Sequence, residues 1–327
     1  MLVESVRRFL QDKSHIDTRV QENAAERSLL WRECVQMGWL QTCISEQQSG
    51  LGLGTFEAAL MAEEMGRKLL SVPVSQAMAI ASILATCSTA DAGHDAILAS
   101  WLQGEEYFAM VVGEGERAYA WAEYVADGCQ ALELSWDQDI LRLARYETAS
   151  PGYGIDPQIA TARMVPGEPV WAASVNCSKE AWRSFCLQRR VLILAELLGT
   201  AGKALEDAVA YARDREQFGK AIGVNQAIKH RLADNWMALD NAKLALHEAC
   251  NALDSGRDAE LAVLMAELLA IEAAAATTAQ AVQTFGAMGF TWECPVHFYL
   301  KRVKHIAAVL RSGQGAAETL DRVWELA

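Results

Sequence analysis

From about residue 180 onward the chain keeps a helical period almost without a break, and that period commits half of it to packed helices. Val191, Leu194, Leu198, Leu205 and Val209 form one apolar stripe. Leu261, Leu264, Leu268, Ile271, Ala275, Thr278 and Val282 form another. Gaps of three and four mark amphipathic helices that bury one face. Residues 211–234 interrupt the pattern: up to Gly219 the chain is charged and helical, and apolar spacing resumes at Ile228, Leu232, Trp236, Leu239, Ala242, Leu246, Cys250 and Leu253. Gly219 and Gly223 therefore punctuate a helix–loop–helix corner. Arg215, able to fork onto a phosphate, and Gln226, carrying an amide, flank it. Ser255-Gly256 separates two further helices, with Asp258 as the expected cap. The economical fold for this half is a four-helix bundle.

Upstream, residues 1–105 read as helices. One ends at Gly38-Trp39, and another is expected from Thr55, as N-cap, to Arg67. Between them Gly50, Gly52 and Gly54 match neither the P-loop nor the dinucleotide pattern, so the run reads as a plain connection. Residues 106–170 change character. Five of the six prolines fall between Pro73 and Pro169, and β-formers cluster at 107–112 and 140–146. Turn chemistry sits at Gly113, Gly115, Asp127-Gly128, Pro151-Gly152 and Pro166-Gly167. The expected fold class is mostly α, in three domains: N-terminal helices over 1–105, a small antiparallel β domain over 106–170, and a helical bundle over 171–327.

A hydrophobic content of 52% over 327 residues predicts a globular chain, and the net charge of −13 argues against a nucleic-acid surface. The eight cysteines include no C-x-x-C pair, which disfavours metal ribbons and thioredoxin-like chemistry and suits buried thiols in a cytoplasmic protein. The apolar run 259–283 is interrupted by Glu260, Glu267 and Glu272, so it reads as a bundle helix and not a membrane span. Lys301, Arg302, Lys304 and Arg311 read as a solvated or interface face. No Glu-x-x-His pairing supports a di-iron site, and no metal is expected.

Two ordered blocks carry a family resemblance. Arg215, Phe218, Gly219, Ile222, Gln226, Leu232, Ala233 and Asp234 fit Arg-x-x-Phe-Gly-x-x-Ile/Leu-x-x-x-Gln followed by Leu-Ala-Asp. Gln283, Gly286, Gly289, Phe290, Glu293 and Pro295 fit a second block near the end. Together they resemble the acyl-CoA dehydrogenases. The resemblance implies FAD as cofactor, an acyl-CoA substrate, desaturation between Cα and Cβ, and an electron-transfer flavoprotein or similar acceptor. It makes Arg215, Phe218, Gln226, Gln283, Gly286 and Gly289 cofactor-binding residues.

The same resemblance exposes what is missing. The family's catalytic glutamate falls on Leu310 by one placement and on Ser255 by the other, and neither is a carboxylate. Asp254 and Glu293 are the weak replacements. Nor does 106–170 carry the family's Thr-Glu-Pro-x-x-Gly-Ser-Asp stretch, Val112–Glu116 being the nearest. These losses most resemble the small subunit of heteromeric bacterial acyl-CoA dehydrogenases of steroid side-chain breakdown, which implies a homologous partner in a heterotetramer. Two alternatives stand beside it: a scaffold that binds no flavin, and a homomeric enzyme with a relocated base.

Overall fold

The computed structural model describes residues 2–13, 24–87, 98–104, 108–112, 121–126, 129–164 and 167–311, with positions 323 and 326. Helices α1 (Leu2–Lys13), α2 (Ala24–Gln36), α3 (Thr55–Arg67) and α4 (Val74–Thr86) come first. The strands are β1 (Ala109–Val112), β2 (Trp121–Glu123), β3 (Gln130–Asp137), β4 (Ile140–Glu147), β5 (Gly152–Tyr153), β6 (Ala160–Arg163) and β7 (Trp171–Asn176). Helices α5 (Lys179–Asp214), α6 (Gln226–Asp254), α7 (Glu260–Phe285) and α8 (Val296–Leu310) complete the chain. This is the mostly α class with a central sheet. The chain divides into two compact units: Gln21–Ala58 with Ser71–Arg189, and Met1–Val20 with Ala59–Leu70 and Arg190–Ala327.

In the first unit the sheet order is β5-β6-β2-β1-β3-β4-β7. The expected antiparallel sheet contains one parallel pair, β1 with β3. With β2 antiparallel on one edge of β1, the chain crosses to the other edge and β3 arrives in the direction of β1. The sheet ends at Asn176, past the boundary expected at 170, because β7 pairs along β4 from Trp171 to Asn176. The expected turns at Gly113, Gly115 and Asp127-Gly128, and Val112–Glu116 beyond its first residue, lie outside the described residues. Small side chains at Ala109, Ala122, Ala131, Ala160 and Ala162 pack with Val111 and Val125 into the sheet's core.

The glycine-rich connection keeps its amides for itself. Gly50, Leu51, Gly52 and Leu53 donate to the carbonyls of Ser45, Gln41, Ile44 and Thr42. Gly54 donates to the Glu57 carboxylate at 3.0 Å. That bond makes Gly54 the cap of α3, with Glu57 reaching back as in a capping box. Thr55 is therefore the first helical residue, not the cap, and its hydroxyl accepts from Gln188 Nε2 at 3.1 Å.

The second unit is built on a backbone crossing. A Cβ on Gly66 of α3 would lie 1.9 Å from the Glu196 carbonyl oxygen, and one on Gly199 of α5 would lie 1.9 Å from that of Glu63. Only hydrogens fit there, so the two helices touch main chain to main chain. Thr200 Oγ1 lies 2.8 Å from the Glu196 carbonyl of its own helix and 3.1 Å from the Gly66 carbonyl across the crossing, its one hydrogen shared between the two acceptors. Beside it Arg302 of α8 is 0% exposed, which takes it out of the basic face expected with Lys301, Lys304 and Arg311, of which Lys304 and Arg311 are exposed. Arg302 Nη1 donates to the Leu70 carbonyl and to Glu196 Oε1, at 3.0 and 3.1 Å. The reason is register: Phe298, Tyr299, Arg302, Val303, Ile306 and Leu310 share the buried face of α8.

The stretch Glu260–Phe290, whose most apolar 18-residue window has a mean hydropathy of 1.7, has the length and composition of a membrane span. Within it Glu267 is buried and accepts from Arg190 Nη1 at 3.3 Å. A paired, buried carboxylate and one buried face from Val263 to Thr284 make α7 a bundle helix, as its sequence suggested, with Met265, Leu269, Glu272 and Ala276 exposed on the opposite face. At the preceding connection, between α6 and α7, Gly256 adopts φ +66°, and the Asp258 carboxylate accepts the Glu260 N–H at 3.0 Å from one residue ahead of the cap position, which Ala259 takes.

The crossing sets up a contrast between two glycines of α5. Gly199→Ala is expected to destabilise the protein by about 3 kcal/mol or more, since backbone must separate. Gly202→Ala, whose new Cβ would meet nothing closer than Arg67 Nη1 at 3.9 Å, is expected to stabilise it by about 0.5–1 kcal/mol through helix propensity. Urea denaturation of the two variants checks both signs.

Candidate functional site

Helix α5 stops at Asp214 and the chain turns into a small β-hairpin, where the sequence suggested a loop. Glu216 pairs with Ala221 and Gln217 with Lys220, leaving Phe218 and Gly219 as a two-residue turn. Both have positive φ, +54° and +76°, as a type I′ turn requires. Glycine adopts this freely; phenylalanine does not. Phe218 is nevertheless held there 100% exposed. The hairpin is anchored at its base, where Arg215 N–H donates to Tyr211 O and Ile222 N–H to Arg215 O, each at 2.8 Å. Gly223 then passes so close to α5 that a Cβ would lie 2.7 Å from the Ala212 carbonyl oxygen. The Asn225 side-chain amide donates to Ile222 O at 2.9 Å, and α6 begins at Gln226.

The second block is a turn of 3-10 helix after α7. Gly286 has φ +63°, and Gly289 is buried where a Cβ would come within 2.8 Å of the Val282 carbonyl oxygen. Met288, Phe290 and Trp292 are turned outward. Beneath them His297 is buried, with Nε2 at 3.1 Å from the Thr291 carbonyl. Burial, and then the nearby Lys301 ammonium, push its pKa below the ordinary 6.5. Lys301 Nζ lies 5.1 Å from the Trp292 ring centroid, in cation–π contact.

The two blocks meet. Tyr211, one turn before Arg215, stacks on Phe285 with ring centroids 4.3 Å apart and planes inclined by 18°. Its hydroxyl reaches Met288 Sδ at 3.8 Å. Of the residues predicted to bind a cofactor, Arg215, Phe218, Gln226 and Gln283 are exposed, Gly286 is half-buried and Gly289 buried. Among the described residues no ion pair engages Arg215, whereas Arg213 is held by Asp214 at 2.9 Å. The sequence reading passed over Tyr211 and Phe285. The signal available was one aromatic in each block, at the end of each helix.

The positions suggested for a base do not join this cluster. Leu310 is buried at the end of α8, while Ser255, Asp254 and Glu293 are exposed. No group of three or more His, Cys, Asp or Glu suited to a metal occurs among the described residues.

Residues 1–104 match the family description "Acyl-CoA dehydrogenase, N-terminal domain", and residues 182–322 match "Acyl-CoA dehydrogenase, C-terminal domain". The chain is similar to the acyl-CoA dehydrogenase IpdE2 of Mycolicibacterium smegmatis, 30% identical over 283 residues, or 86% of this chain and 83% of that protein. Among solved structures it is similar to the ChsE4-ChsE5 complex from Mycobacterium tuberculosis, with a TM-score of 0.78 and 21% identity over 99% of this chain and 96% of that one. It is also similar to the FAD complex of PigA, with a TM-score of 0.78 and 19% identity over 98% and 95%.

Phe218→Asn is expected to raise stability by about 0.5–1 kcal/mol, because Asn-Gly suits a type I′ turn and the lost ring buries nothing. Thermal unfolding checks it. For His297 the folded pKa lies below the unfolded one, so between the two the unfolded state binds more protons. Its contribution is complete above about pH 6.5 and is lost as pH falls towards the folded value. Stability measured from pH 7.5 to 5 should therefore fall less steeply in His297→Phe than in the parent.

Proposed function

The chain belongs to the acyl-CoA dehydrogenase family, and on that premise we propose that it is one subunit of a flavin-dependent acyl-CoA dehydrogenase that lends half of an FAD site to a homologous partner chain. Arg215 offers forked N–H donors to a pyrophosphate. Gln226 and Gln283 offer amides, and Phe218 an uncovered ring. Gly286, with a positive φ, and the tightly packed Gly289 shape the second turn. When bound, the flavin supplies the acceptor for the hydride leaving Cβ.

The observation that carries this reading is the hairpin tip. A fully exposed phenylalanine at positive φ, close to an arginine that forms no ion pair among the described residues, gives a lone chain nothing. Both become favourable when a second surface covers them. The FAD complex of PigA and the ChsE4-ChsE5 complex, which share this fold, support a flavin and a partner respectively.

The partner supplies the base in this proposal. A carboxylate that removes an α-proton needs an enclosed apolar site to raise its pKa. Leu310 and Ser255 cannot take a proton, and Asp254 and Glu293 stand in solvent. The substrate class is a steroid-derived acyl-CoA, after the resemblance, and an electron-transfer flavoprotein or similar acceptor removes the electrons. A reducing cytoplasmic location fits eight cysteines that form no disulfide.

In the flavin-loaded complex, Arg215→Ala is expected to weaken FAD binding by about one to two decades, as loss of a charge-assisted contact worth about 1.5–3 kcal/mol implies. Arg213→Ala, already neutralised by Asp214, should change it little. Titrating FAD into stripped complexes of the two variants decides the matter. Equal affinities would leave the scaffold reading as the better one.

A further inference from the structure

Cys87 and Cys177, far apart in the chain, lie against each other within the first unit, the Cys87 S–H donating to the Cys177 sulfur. The Cys177 S–H is turned to the Ser178 carbonyl at 3.6 Å, which leaves its sulfur free to accept. Both side chains are buried, at 5% and 4% exposed, and both are anchored through their backbones. Cys87 closes α4, its N–H donating to the Ile83 carbonyl at 2.9 Å. Cys177 follows β7. Its N–H donates to the Asp139 carbonyl at 2.9 Å, and its carbonyl accepts from Trp136 Nε1 at 2.8 Å. A helix end and a strand end therefore place the two sulfurs together.

The two differ in access and in acidity. Cys177 lines a pocket of about 580 Å³ beside the β3–β4 turn, and Cys87 does not. The pocket's Gln138, Asn176 and Lys179 are exposed, so a small molecule reaches Cys177 from solvent. Burial pushes both thiols up, Cys87 to about 12; the bond between them adds to the rise at Cys87 and opposes it at Cys177. Since the thiolate is the reacting form, the reachable sulfur is also the one its neighbour activates. We infer that Cys87 and Cys177 form an oxidation site for a small hydroperoxide, Cys177 reacting first and Cys87 closing a reversible disulfide between α4 and β7. In the first step the Cys177 thiolate attacks one peroxide oxygen. An S–O bond forms, the O–O bond breaks, and the departing oxygen takes up a proton, leaving a sulfenic acid. Cys87 then gives up its proton and attacks the Cys177 sulfur, forming S–S and releasing the second oxygen as water. Two thiols and one hydrogen peroxide become one disulfide and two waters, with two electrons passing from sulfur to oxygen. Thiol reductants reverse the bridge. Nothing in this chemistry requires Arg215 to meet a flavin.

The test is treatment of the reduced, folded full chain with hydrogen peroxide, followed by peptide mapping without reductant. The map should show Cys87 joined to Cys177 within one chain, and dithiothreitol should release both thiols. Single variants then test the order of events, with far-UV circular dichroism to confirm folding. In Cys87→Ala the reaction should stop at a sulfenic acid on Cys177, captured by dimedone. In Cys177→Ala oxidation of Cys87 should slow by roughly tenfold or more, because the remaining thiol is buried and far from its thiolate form. Survival of both thiols at a peroxide dose that oxidises the unfolded chain overturns the inference. So does a link from either cysteine to a third one, or a link found only between chains. Dimedone capture at Cys87 in Cys177→Ala, with none at Cys177 in Cys87→Ala, overturns the assigned order. The map of the parent needs no substitution, so it decides the pairing even where a variant does not fold.

Discussion

Contact between the backbones of α3 and α5 at Gly66 and Gly199 is the constraint on which the bundle unit depends. With both Cβ positions filled by the opposite main chain, neither helix can shift without opening the other. The close approach brings charged side chains with it, and each finds a partner. Arg302 pairs with Glu196 in full burial, Lys243 with Glu63, and Arg67 Nη2 with Glu206 at 2.6 Å. Arg7 of α1 joins through Glu64 at 2.7 Å. The buried pair differs from the rest. Removing one member of such a pair typically costs about 3–5 kcal/mol, whereas exposed pairs are worth under about 1 kcal/mol. Arg302 therefore holds α8 in place, and the outer pairs mainly refine the fit.

Fixing α5 fixes what lies at its end. Tyr211 sits one turn before the hairpin, and its stack on Phe285 locks the first motif block to the second. Local stability is given up only beyond that point. The turn uses phenylalanine where asparagine would fit with less strain, and leaves the ring in water. Rigid support behind a strained, exposed tip is the arrangement expected where a second surface completes the site.

The sequence carried the helical half well because its signal is local repetition. Stripes such as Leu261 to Val282 name a buried face with no knowledge of its neighbour. The two motif blocks were legible for the same reason, each being a short run with its own glycines. What was not legible depends on contacts across long separations. Gly66 and Gly199 look like weak helix formers until the crossing partner is known. Arg302 sits in a Lys-Arg-Val-Lys run that reads as solvated, yet its register places it among Phe298, Tyr299 and Ile306. Thr55 was assigned the cap because a hydroxyl is the usual choice, but Gly54 takes that place with help from Glu57. The parallel pairing of β1 and β3 depends on which edge of β1 is free, and no residue pattern encodes that. The corner was expected as a loop because strands of two residues leave no period to read.

The most direct measurement is the flavin absorption spectrum of this chain purified alone and after co-expression with a homologous acyl-CoA dehydrogenase chain. A half-site gives a nearly colourless protein alone and a complex with flavin bands near one cofactor per pair of chains. A chain that is yellow alone and reduces its flavin on addition of acyl-CoA would contradict the account, since it would hold both a complete cofactor site and a base of its own.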